Sequence, residues 1–265
     1  MTQREISLKT FQMIVHLNSQ DDLEQAIHAL LKRDPRLKPV FEVAGMPSLR
    51  RREPGFVGLA HIICGQQLST ASAAAIWGRV CAAFDPFDHH ACRRARTDRL
   101  GRLGLSAAKI KTLKTLARAI ADERVNLGIL AEEDADAAHH TLTALHGIGP
   151  WTADVYLLFC LGHGDAWPAG DLAVQEAIRI GLALKERPNP KQMAPIAEPW
   201  RPLRGAAAHL WWSFYRVIKK RDGVMASETK RNEASRPSKP KANTGNAGFK
   251  HTGSRRARRP VSSAG

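Results

Sequence analysis

The stretch Leu145–Ala153, "LHGIGPWTA", joins residue types that can hold an anion without a charged side chain. Gly147 and Gly149 lack a Cβ and can both take positive φ. A turn built on them can aim its backbone N–H groups outward together. Pro150 suits the first position of a helix. The unpaired amides and partial positive charge of that helix start lie beside the turn. Turn and helix start together suit a phosphate oxygen. Such a contact touches the backbone of a nucleic acid whatever its bases. An ordinary tight turn between packed helices would use the same glycines, so the pattern alone leaves both readings open.

Other polar positions are less decided. Asp171 opens "DLAVQEAIRIGLAL" (171–184), where it fits as an N-cap. Gln66-Gln67 and Ser69-Thr70 interrupt a long apolar run. Cys64, Cys81, Cys92 and Cys160 show no C-x-x-C spacing, which excludes a four-cysteine iron–sulfur or zinc site. Free thiols suit a reducing compartment. The pairs His89-His90 and His139-His140 are adjacent in sequence, so their rings leave a helix on different sides and make no metal site.

Helical patterns surround these positions. "SQDDLEQAIHALLKRDPRL" has Ser19 or Asp21 as cap and a stripe of Leu23, Ile27, Leu30 and Leu31. Residues 56–84 read as a buried helix or two. Residues 105–121 form a helix capped by Ser106, with Ile110, Leu113, Leu116, Ala117 and Ile120 inward. Helices over 133–144, from Pro150 to about Leu161, over 171–184, 189–193 and 205–218 complete the series. No run reads as a strand, so the fold class is all-α. The net charge is +15 over 265 residues, which favours a polyanionic partner. Residues 226–265 hold ten Lys or Arg against two Asp or Glu and almost no large apolar residue, and read as a disordered basic tail. A polar N-terminus and the lack of an 18-residue apolar run argue against a signal peptide or a membrane span. A cytoplasmic protein is expected.

Taken in order, three blocks resemble the helix-hairpin-helix DNA glycosylase superfamily, and within it the 3-methyladenine DNA glycosylase II family. They are "ICGQQLSTASAAAIW" (63–77), the "LHGIGPWTA" hairpin with Asp171 twenty residues after Trp151, and "AAAHLWW" (206–212). The resemblance covers about residues 20–222. It implies two helical subdomains flanking a DNA-binding cleft: about 46–163, and about 20–45 with 164–225. It implies a glycosylase that flips an alkylated base of the 3-methyladenine type out of double-stranded DNA and hydrolyses its bond to the sugar, acting as a monomer.

The resemblance also assigns roles. Asp171 becomes the catalytic carboxylate beside the positive charge that develops on the sugar. Capping is compatible with that, because helix N–H groups favour the charged form. Trp151 and Trp211 become the base pocket, where indole faces attract a cationic alkylpurine. Trp167 and Trp212 are alternatives. Gln67 becomes the wedge that fills the gap left by the flipped base. Gly147, Ile148, Gly149 and Thr152 form the phosphate-binding hairpin. Read from charge alone, Lys109, Lys111 and Arg50 to Arg52 are candidates for further phosphate contacts, although such runs usually form a solvated face. No cofactor is required. The main-chain carbonyls of Thr143, Leu145 and Ile148 are placed to hold a monovalent cation, sodium or potassium. Strand-cutting members carry a lysine where this chain has Trp151, so no lyase activity is expected. Some members carry a tyrosine at the position of Val155.

Overall fold

The computed structural model describes residues 14–234. The chain divides into two compact units, Met1–Gly223 and Val224–Gly265. Twelve α-helices are described. The first, α1 (Gln20–Arg33), is closed at its start by a capping box in which Ser19 and Asp22 satisfy each other's backbone N–H groups. Its inward stripe, Leu23, Ile27 and Leu30, is fully buried. A short α2 (Leu37–Ala44) follows the Pro35 break. The apolar run then gives α3 (Gly55–Gly65) and α4 (Thr70–Ala83), so the expectation of one or two helices resolves to two, parted at Gln66–Ser69.

Two short helices, α5 (His89–Arg94) and α6 (Thr97–Arg102), lead to α7 (Ala107–Ala121), capped by the Ser106 side chain. The helices α8 (Ala135–Thr143) and α9 (Pro150–Tyr156) form the hairpin arms, and α9 continues as a π-helical turn over Leu157–Leu161. Then come α10 (Leu172–Gly181), α11 (Pro190–Ala197) and α12 (Arg204–Ala234). The sequence expectation of an all-α chain holds among the described residues. The only β feature there is an isolated bridge between His16 and His163.

Packing partners sort these helices into two groups. One joins α3 with α4, α7 and α9, α5 with α7, and α8 with α9; the other joins α1 with α2 and with the Glu198–Trp200 turn that follows α11. One continuous apolar core runs through both, from Leu23 and Leu30 through Leu59 and Ile63 to Leu158 and Trp200. Burying that surface is the main stabilising term, worth about 25 cal/mol per Å². Three of the four cysteines, Cys64, Cys92 and Cys160, are buried free thiols. Burial above all pushes Cys64 and Cys160 up to about 12, so they pack as small hydrophobes. Among the described residues no helix is long and apolar enough to cross a membrane. The basic tail expected over 226–265 lies outside the described residues from 235 onward; before that the backbone continues as α12.

Candidate active site

Asp171 caps α10: its Oδ1 accepts from the N–H groups of Ala173 and Val174, both at 3.0 Å. That capping was legible in the sequence. Two indoles were less so. Trp151 Nε1 donates to Asp171 Oδ2 at 2.8 Å, and Trp212 Nε1 donates to Oδ1 at 3.1 Å. The half-buried carboxylate therefore meets four N–H donors and no acceptor. Trp151 sits at the start of α9 and Trp212 on α12, so the acid ties three helices together at one point.

The loop before Asp171 is fixed by charge. Asp165, nearly buried, takes a two-pronged contact from Arg204, Nε to Oδ1 at 2.8 Å and Nη2 to Oδ2 at 2.9 Å. Arg201 adds Nη1 to Asp165 Oδ2 at 2.8 Å. Gln175 Nε2 holds the carbonyl of Ala169 at 2.7 Å. A half-open cavity of about 420 Å³ is lined by Trp151 together with Asp136, His139, Asp154, Trp167 and Arg204. Burial pushes the Asp154 carboxyl well above the usual carboxylate range. His139 Nε2 stands 3.6 Å from it.

Trp211 is not where the sequence reading puts it. It is fully buried against Trp200 and Phe214, with ring centroids 6.0 Å away in both cases, and forms core rather than pocket. Successive helical residues point about 100° apart, so the two adjacent tryptophans take opposite environments. Trp212 is the one that reaches the acid. Trp167 is also buried, with its edge on Trp200. Trp151 stays 38% exposed. Val155 is buried, and Tyr156 turns away to accept the N–H of Gly55 on its hydroxyl at 3.0 Å.

In the hairpin only one glycine needs positive φ. Gly147 has φ +78°, and a Cβ there would lie 2.0 Å from Thr112 Oγ1. Gly149 is extended, with φ −87°, and a Cβ on it would meet nothing within 4 Å. Its bareness faces open space. Ile148 and Thr152 are buried, and Thr152 Oγ1 accepts Gln66 Nε2 at 2.8 Å. The Thr152 side chain is thus engaged inside the protein.

Gln67 is exposed in the break between α3 and α4 and has φ +56°, a conformation that costs a non-glycine residue about 1–2 kcal/mol. Leu68 beside it is 40% exposed, a large apolar residue on the same turn that the sequence reading passed over. Lys109 is committed to the Cys64 carbonyl at 2.8 Å, and Arg51 to that of Leu17 at 3.3 Å. Both are main-chain braces, not the free phosphate ligands expected.

Comparisons with known proteins identify the family. The family model described as HhH-GPD superfamily base excision DNA repair protein matches residues 60–202, more than half of the chain. The chain belongs to this superfamily. Proteins similar to it include a Mycobacterium tuberculosis chain named probable bifunctional transcriptional activator/DNA repair enzyme AlkA, 32% identical over 200 residues. That match takes in 71% of this chain but only 39% of the relative. The DNA-3-methyladenine glycosylase of Bacillus subtilis is 25% identical over 219 residues, 72% of each chain. Among solved structures, a DNA-3-methyladenine glycosidase of Bacillus halodurans is similar with a TM-score of 0.67 at 26% identity, covering 74% of this chain and 91% of that one. The fission yeast 3-methyladenine DNA glycosylase Mag1, solved with abasic DNA, gives 0.63 at 26% identity, covering 71% and 95%.

Proposed function

We propose that this HhH-GPD chain is a monofunctional DNA glycosylase that excises alkylated bases of the 3-methyladenine type from double-stranded DNA. One observation carries the reading: a single carboxylate, Asp171, is held by two indole N–H groups and a helix start, beside the half-exposed face of Trp151. Heterolysis of the C1′–N bond sends its electron pair to the departing base and leaves positive charge on the sugar. A fixed carboxylate stabilises that charge without reorganising, and water then adds to C1′. An alkylated base is already cationic and needs little acid assistance to leave.

The remaining parts have matching roles. Gly149, bare and outward, lets a phosphate approach the amides at the start of α9. Gln67, with Leu68, is positioned as the wedge that fills the emptied place in the stack. Trp151 has no amine, so no Schiff base forms at that position and the product is an intact strand with an abasic site. A monovalent cation at the hairpin would draw on the carbonyls of Thr143, Leu145 and Ile148. Leu145 O already accepts Ile148 N–H at 3.1 Å, which leaves its second lone pair for an ion. The glycosidic step itself rests on Asp171. The reading includes action as a monomer in the cytoplasm.

Base release from methylated duplex DNA tests it. The native protein should liberate 3-methyladenine, and Asp171→Asn should lose about a hundredfold or more of the rate while still binding DNA. Borohydride should trap no covalent complex. A native protein that releases no base overturns the assignment.

A further inference from the structure

One of the two indoles that hold Asp171, Trp212, has its face covered by a cation of this chain. The Arg50 guanidinium carbon lies 5.3 Å from the Trp212 ring centroid and 5.0 Å from that of Phe159. The two rings are themselves 5.3 Å apart, so the three groups close a triangle next to Asp171. Phe159 comes from the π-helical turn after α9 and Trp212 from α12. Arg50 belongs to the loop before α3 and has no hydrogen-bond or ion-pair partner among the described residues. Burial disfavours its charged form, as do the positive charges of Arg216 and Arg52, while the negative charge of Asp171 favours it. Its N–H donors are therefore unspent.

We infer that Arg50 is a specificity-determining residue, which turns the aromatic corner beside Asp171 toward uncharged damaged bases. This rests on the glycosylase reading above. A cationic alkylpurine entering this corner meets a like charge where an indole face would otherwise receive it. A neutral lesion, such as a deaminated or etheno purine, meets no such repulsion. It also has more to gain. When a neutral base leaves, the bond pair makes it anionic, and guanidinium donors can bind ring nitrogen or carbonyl acceptors as that charge grows. A base that departs from a cationic state becomes neutral and gains little from Arg50.

Single-turnover excision from duplexes carrying one 7-methylguanine or one hypoxanthine tests this. Arg50→Gln removes the charge and keeps a side chain of similar reach. The expected result is a rise of at least tenfold in the ratio of 7-methylguanine to hypoxanthine release, with hypoxanthine release falling. Arg50→Lys, which keeps the charge, should hold the native ratio within threefold. A smaller change in Arg50→Gln, or a parallel loss of both activities, overturns the role of Arg50 while leaving the glycosylase reading intact. A native protein that releases neither base overturns both.

Discussion

Asp171 performs two tasks that substitutions can separate. As a cap it accepts two α10 amides; as an acid it faces the Trp151 surface. Asparagine caps about as well as aspartate, so Asp171→Asn should leave the melting temperature nearly unchanged while base release collapses. Asp171→Ala should lose the activity and about 1 kcal/mol of stability as well, readable by urea titration. Trp212→Phe keeps an aromatic face and removes one donor from Oδ1. Its kcat/KM should fall about tenfold, the equivalent of 1.4 kcal/mol. Trp211→Phe, one position earlier, should lower stability and spare kcat, because that ring touches only core. Adjacent tryptophans on a mostly apolar helix have no sequence signal to tell inner from outer. Asp171 was legible because its spacing from the hairpin and its capping position coincide; Arg50 was not, because a run of three arginines reads as a solvated face.

At the scale of elements, the helices with strong caps were plain in the sequence. Ser19, Ser106, Asp171 and the Pro150 start all stand where their residue types predict. Short α2, α5 and α6 carry too few turns to impress a period on the sequence. The Asp165–Arg204 pair joins residues 39 positions apart, and nothing local announces it. The hairpin gives the sharpest test at this scale, since its two glycines do different work. Gly147→Ala forces a Cβ into Thr112 at positive φ and should cost about 1–3 kcal/mol in thermal or urea unfolding. Gly149→Ala meets no protein atom and should leave stability within about 0.5 kcal/mol. Its added methyl would instead stand in the way of a phosphate, so affinity for duplex DNA should drop about tenfold in a titration. Equal effects on folding and on binding from both substitutions would remove the hairpin from the DNA interface.

For the whole molecule, charge governs both partner and pH response. A net charge of +15 makes binding to undamaged duplex fall steeply with salt, as a log–log plot of affinity against salt should record. Inside, the balance is reversed: a potential cation is kept neutral. His209 lies on α12 against Phe159, with ring centroids 5.5 Å apart, and is 2% exposed. Neither ring nitrogen has a partner among the described residues. Burial, helped by the charges of Arg50 and Arg51, lowers it from 6.5 to about 3. An unfolded chain takes up this proton near pH 6.5, the folded one only near 3, so between those values the unfolded state binds more protons and acid favours it. The stability contributed by a neutral His209 is complete above pH 6.5 and declines by about 1.4 kcal/mol per pH unit below it. His61, His139 and His163, also lowered chiefly by burial, add to the same slope. Asp154, raised by burial, opposes it, because its proton is held by the folded state. Comparing urea unfolding of native protein and His209→Leu at pH 7 and pH 5 isolates the one group. The native protein should lose about 2 kcal/mol more than the variant over that interval. An identical loss in both would mean that His209 is already charged in the fold, and the apolar packing of α12 against Phe159 would need another explanation.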